Sequence, residues 1–108
     1  MDNLVTEAFE DEEYIGRGIA IFTIANCPWC DKAKLLLDSI RKEDPTIDLI
    51  TYDFSPVSPE DRKNFLLTFG RQTFPLILSF DSESEEKKKI VGGFVELSRC
   101  TTIDEIFP

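Results

Sequence analysis

The sequence predicts an α/β domain: one mixed four-stranded sheet with helices on both faces. Three observations point to it. Residues 19–24, Ile-Ala-Ile-Phe-Thr-Ile, are a nearly continuous β-branched and aromatic run, as a strand buried on both faces requires. Two helical patterns then separate three strand patterns, the signature of β-α-β construction. The last two strand patterns are joined only by the polar segment 81–88, too short for a crossover, so they must pair as an antiparallel hairpin. With 108 residues, 42 % of them hydrophobic and nine of them Phe, the chain can fill one core and is not disordered in bulk.

Each element has a local reason. Residues 1–18 are an acidic N-terminal extension in which Leu4, Val5, Ala8, Phe9, Tyr14 and Ile15 are spaced for a short amphipathic helix ending at Gly16-Arg17-Gly18, with a frayed arm as the alternative. Pro28 stands where a helix takes its first residue, and Trp29, Ala33, Leu36, Leu37 and Ile40 recur at helical spacing up to the stop at Glu43-Asp44-Pro45. Residues 48–54 read as a second strand. Ser58-Pro59-Glu60-Asp61 has the pattern of a capped helix start, leading to Phe65, Leu66 and Phe69 and closed by Gly70. Residues 74–80 and 89–91 read as the third and fourth strands, and the charged residues between them as a solvated hairpin connection. Gly92-Gly93 lead into a terminal helix through Phe94, Val95 and Leu97, with Ile103, Ile106 and Phe107 beyond a break near Thr101-Thr102, where a hydroxyl is expected to cap a second piece. Both β-α-β elements are expected to set parallel strands side by side through right-handed crossovers. Without a repeat or linker, residues 1–108 read as a single domain, 1–18 the extension and 19–108 the core.

Charge and cysteine usage narrow the function. Twelve Lys plus Arg against 21 Asp plus Glu give a net charge of −9, which argues against nucleic acid or an anionic membrane surface as partner. No histidine is present, which removes Ser-His and Cys-His nucleophiles, His-bearing zinc sites and an imidazole general base. Three cysteines do not make a secreted disulfide framework, and Met1-Asp2-Asn3 followed by acids through Glu13 is not a signal peptide. A reducing, cytoplasmic setting is therefore expected, without a membrane span and with the chain acting as a monomer.

In that setting the close pair Cys27 and Cys30 carries the chemistry. Disulfide exchange needs an exposed, partly ionised thiol and a second thiol within reach to expel what becomes attached to the first. Cys27, between a central strand and a helix N-terminus, meets unpaired backbone N–H groups that stabilise a thiolate; Cys30, one turn inside, is the resolving thiol. Half a zinc site is the rival reading, but with no histidine and only Cys100 left over, Cys and His alone cannot complete it, and no metal is expected. Two core cysteines that happen to lie three apart are the bland alternative, and Cys100 itself reads as a half-buried packing residue. Thr73-Phe74-Pro75 marks either a turn before a strand or a cis bond that turns the Phe74 backbone outward to pair with a thiol-bearing substrate. Gly92-Gly93 makes either a tight turn or a place where the Phe94 and Val95 N–H groups capture a carboxylate.

Taken in order, Ile-Phe-Thr-Ile-Ala-Asn-Cys27-Pro-Trp-Cys30, Thr73-Phe74-Pro75 and Gly92-Gly93-Phe94-Val95-Glu96-Leu97 resemble the dithiol glutaredoxins of the thioredoxin-fold superfamily, over about residues 19–98. The resemblance implies that Cys27 attacks glutathione mixed disulfides, Cys30 resolves protein disulfides, and Pro75 is cis. It further implies that Phe74 hydrogen-bonds the glutathione cysteinyl unit, that Phe94 and Val95 with Gly93 hold the γ-glutamyl carboxylate, that Arg62 contacts the glycyl carboxylate, and that Thr73 lines the glutathione groove. Trp29 stands where the family commonly has Tyr and keeps an aromatic platform beside the thiol. Glutathione is then the reducing co-substrate, and disulfide-bearing proteins are the clients, ribonucleotide reductase being a common one in the family. This chain departs from the pattern at Ile24, where the family has Lys, at Phe74 in place of Val, and at Val95 in place of a capping Asp or Ser. Binding of an anionic thiol then depends on Arg62, Arg71 and the helix termini. Two other functions fit the same residues: a cluster-binding or adaptor module holding a glutathione-ligated [2Fe–2S] centre between subunits, and a dithiol reductase recycled by a thioredoxin-type reductase.

Overall fold

A computed structural model describes residues 16–108. In chain order they form β1 (Arg17–Thr23), α1 (Pro28–Glu43), β2 (Asp48–Asp53), α2 (Pro59–Thr68), β3 (Leu76–Asp81), β4 (Lys88–Gly92), α3 (Phe94–Ser98) and a final 3-10 turn (Ile103–Ile106). The strands make one mixed sheet in the order β2-β1-β3-β4, with β1 parallel to β2 and antiparallel to β3, and β3 antiparallel to β4. The expected architecture of four strands between two helical layers is therefore present.

Alternation along the central strand explains the two layers. Ile19 and Ile21 face Ala33 and Leu37 of α1, together with Leu97, Ile106 and Phe107. Ala20 and Phe22 point the other way, into a cluster with Phe54, Phe65, Leu66, Leu76, Leu78 and Phe80. Both faces of β1 are thus removed from water, which is why its sequence is apolar without a polar alternation. The buried Ser79 hydroxyl on β3 donates to the Ile106 carbonyl at 2.8 Å, fastening the last turn to the sheet.

Several expectations are corrected. The helix expected over 1–18 falls mostly outside the described residues, but Arg17 and Gly18, expected at its end, instead open β1. The second β-α-β element does not set parallel strands side by side. Thr23 at the end of β1 pairs with Asp53, and Leu76 at the start of β3 pairs with Phe22, so the segment carrying α2 leaves and re-enters the sheet at the same end. A ten-residue helix returning the chain there must deliver an antiparallel strand. The break in the terminal helix lies where expected, but no Thr102 hydroxyl caps the second piece. Glu105 reaches back instead and accepts from the Thr101 N–H at 2.9 Å and from its hydroxyl at 2.8 Å. Helix ends read from sequence behave as expected elsewhere: the Ser58 hydroxyl accepts from the Asp61 N–H, and Gly70, at φ +69°, ends α2 in the left-handed region.

Candidate active site

The site is built at the end of β1. Beyond Thr23 the chain leaves the sheet, the Ala25 N–H donating to the Ser55 hydroxyl at 2.7 Å and Asn26 taking a positive φ of +57°. This turn delivers Cys27 in extended conformation to the N-cap of α1, with Pro28 as the first helical residue. The Cys30 N–H donates to Cys27 Sγ at 3.2 Å, so the sulfur does for this helix what a serine oxygen does for α2. Cys27 and Cys30 are joined as a disulfide across a Cα–Cα distance of 5.2 Å. Cys30 is 1 % exposed and Cys27 half-buried, so only the first sulfur is open to attack from solvent.

Facing it is the loop before β3. The Phe74–Pro75 bond is cis, as the family resemblance implies, and the Phe74 carbonyl oxygen lies 3.9 Å from Cys27 Sγ. Trp29 is 51 % exposed, and its ring meets that of Phe94 at 5.7 Å, with the Lys32 ammonium 4.5 Å over its face. Trp29, Thr73, Phe74, Pro75, Phe94 and Val95 line a cleft of about 380 Å³ beside the cysteines, together with Arg71 and Glu96. A second groove of about 700 Å³ adjoins it, sharing Arg71, Thr73 and Phe74 and running along α2 past Arg62. Trp29, Thr73, Phe74, Pro75, Phe94 and Val95 thus share one cleft, with Arg62 one groove further out and Gly93 at the N-cap of α3.

Two of them are engaged within the protein. Arg62 Nε donates to the Phe54 carbonyl at 3.0 Å and its terminal nitrogen to the Ser55 carbonyl at 2.7 Å, bracing the loop after β2. The Gly93 N–H donates to Glu96 Oε1 at 2.6 Å, and Arg71 reaches the same oxygen at 3.1 Å. Glu96 therefore supplies the start of α3 with a carboxylate from its own chain. The adjacent glycine makes this approach possible: a Cβ on Gly92, whose φ is +119°, would stand 2.7 Å from Glu96 Oε1. Arg71 Nε is buried without a partner among the described residues. Sequence reasoning missed the role of Glu96, although Gly93-x-x-Glu96 is half of a capping-box pattern and could have disclosed it.

The Gly93 N–H, followed by the Arg71 charge, holds the Glu96 carboxyl below its ordinary value, against the opposing effect of burial. A depressed carboxylate stabilises the fold above its unfolded value, near 4.5, and that contribution is lost as pH falls through the folded value. Denaturation across an acid pH series should show Glu96→Gln less stable than the parent at neutral pH, with the gap closing below the ordinary carboxyl range. A gap that stays constant with pH would contradict this role.

No protein-family model matches the chain, and no curated protein matches it. Solved structures do. Chloroplastic thioredoxin z is similar at TM-score 0.61 and 19 % identity, over 85 % of this chain and 76 % of that one. Mitochondrial thioredoxin 3 from Saccharomyces cerevisiae is similar at TM-score 0.56 and 17 % identity, over 87 % of this chain and 82 % of that one. Glutaredoxin 1 from Francisella tularensis is similar at TM-score 0.46 and 21 % identity, over 77 % and 90 % of the two chains. The chain has the thioredoxin fold. On that fold, a cysteine pair closed as a disulfide at the start of α1, with one sulfur accessible, supports thiol–disulfide oxidoreductase chemistry.

Proposed function

We propose that this protein reduces protein disulfides and glutathione mixed disulfides through Cys27 and Cys30, with glutathione restoring the dithiol. The observation that carries the reading is the placement of Cys27 Sγ: an N-cap sulfur beside an open cleft, 3.9 Å from the Phe74 carbonyl. Starting from the reduced pair, the Cys27 thiolate attacks one sulfur of the client disulfide, forming a mixed disulfide, and the other client sulfur leaves as a thiolate that takes up a proton. Cys30 then loses its proton and attacks the Cys27 sulfur, closing the intramolecular disulfide and releasing the second client thiol. One glutathione thiolate reopens the pair by bonding to Cys27 and freeing Cys30. A second attacks the glutathione sulfur, leaving as glutathione disulfide and returning Cys27 to the thiolate. The Cys30 N–H supports Cys27 each time it carries negative charge. In this reading the outward backbone of Phe74 pairs with the cysteinyl unit, the Phe94 and Val95 amides receive the γ-glutamyl carboxylate, and Trp29 covers the sulfur.

A second source of electrons is favoured by one observation. Glu96 already occupies the Gly93 N–H and one arm of Arg71, two donors that an anionic thiol would use. A thioredoxin-type reductase would recycle the dithiol without needing them. A paired NADPH-coupled assay separates the two. Turnover of a small mixed disulfide with glutathione and glutathione reductase is the expected result; turnover only with thioredoxin reductase would assign the alternative donor, and silence in both arms would reject the exchange reading.

A further inference from the structure

The groove along α2 shares Thr73 and Phe74 with the cleft at Cys27 and includes Arg62, residues that the family resemblance gives to glutathione, but it runs further along the helix, and its lining is sorted by charge. Pro59, Arg62, Lys63, Leu66 and Leu67 fall at positions i, i+3, i+4, i+7 and i+8 of the helix, one continuous face, and all five line the groove. Glu60 and Asp61, the acids of the same helix, lie off that face and do not line it. Every charged side chain lining the groove is basic, Arg62, Lys63 and Arg71, in a protein whose net charge is −9. Of these, Arg71 is partly neutralised by Glu96, and Arg62 is held by the Phe54 and Ser55 carbonyls with the Asp53 carboxylate near enough to feel its charge, whereas Lys63 forms no ion pair with a carboxylate among the described residues. Leu67, 52 % exposed, adds an apolar contact to the same wall. The groove is continuous with the cleft at Cys27 through Arg71, Thr73 and Phe74.

We propose that this groove takes an extended acidic segment of the client protein, the stretch flanking the cysteine that Cys27 attacks, with a nearby apolar side chain against Leu66 and Leu67. The proposal rests on the reading of Cys27 as the exchanging thiol. An acidic segment is repelled by the rest of this anionic surface and attracted here, so charge selects the direction in which the client leaves the cleft as well as which client enters.

The test uses the full chain and two fluorescent peptides of equal length, with serine in place of the reactive cysteine. One carries Asp and Glu beside the serine, and the other carries Asn and Gln at the same places. Anisotropy titrations at low salt should show the acidic peptide bound about tenfold more tightly, an advantage that shrinks at about 0.3 M salt. Lys63→Glu should bring the ratio close to one. Lys42→Glu, the same charge change at the exposed far end of α1, should preserve it. Equal binding of the two peptides, or an acidic preference that survives Lys63→Glu, overturns the proposal. The cysteine-containing peptides, offered as mixed disulfides, separate the two layers of argument. Acidic preference in binding without exchange on either peptide upholds the groove and rejects the thiol chemistry. Exchange at equal rates on both upholds the chemistry and rejects the groove.

Discussion

Cys27→Ser is expected to lower disulfide exchange by more than about a thousandfold, because the oxygen that replaces the sulfur is neither ionised nor nucleophilic at neutral pH. Cys30→Ser is expected to divide the activities. A glutathione mixed disulfide needs only the accessible sulfur, so its reduction should persist within a few-fold. A protein disulfide needs the second thiol to release the client, so that activity should disappear and a trapped mixed disulfide accumulate. The asymmetry follows from burial: Cys30 is 1 % exposed and can reach Cys27 but not a client. Assays of both variants on a glutathionylated peptide and on a protein disulfide, with mass analysis of trapped species, check the assignment. Equal loss in the two variants on the glutathionylated peptide would sink it.

Phe22→Ala is expected to have the largest effect on stability. Phe22 is 1 % exposed and stacks on Tyr52 at 4.9 Å, meets Phe54 edge-on at 5.6 Å and packs against Phe65 at 4.9 Å. Removing its ring leaves a cavity in the centre of one layer, at a cost of about 3–5 kcal/mol, a large part of the total stability of a small domain. Urea denaturation of the reduced protein measures it, with Phe22→Leu as a milder variant that should lose roughly 1–3 kcal/mol and remain folded for assay. The effect should extend to activity. Phe54 also touches Phe74, at 5.9 Å, so a line of rings runs from the core to the residue beside Cys27. Exchange should slow in Phe22→Leu even where the protein is fully folded. A cost below about 1 kcal/mol for Phe22→Ala would mean that this layer repacks freely.

What the sequence disclosed and what it concealed divide along local and non-local lines. Cys27 at a helix start was readable because Pro28 fixes the first helical position and the run 19–24 fixes the strand before it. The hairpin of β3 and β4 was readable because the charged segment 81–88 is too short to cross the sheet. The direction of β3 against β1 was concealed, because nothing within α2 records at which end of the sheet its flanking loops re-enter. Arg62 was singled out by the family resemblance alone, and the bonds it makes to the Phe54 and Ser55 carbonyls, brought beneath it by the turn after β2, were concealed because they join segments that the sequence does not set side by side. Glu96 was passed over because an acid in a short helix looks like surface, and only the fold shows Arg71 arriving from the loop after α2 to share its oxygen.

The sulfur at the N-cap of α1 couples the redox chemistry to the longest helix among the described residues. Whatever charge or bond Cys27 carries is presented to the same first-turn amide, that of Cys30. A thiolate holds that N–H more strongly than a neutral thiol or a mixed disulfide does. The opening frequency of the first turn of α1 therefore changes at each step of the cycle, and amide hydrogen exchange there records the bonding state of the sulfur. The helix end is a reporter built into the nucleophile.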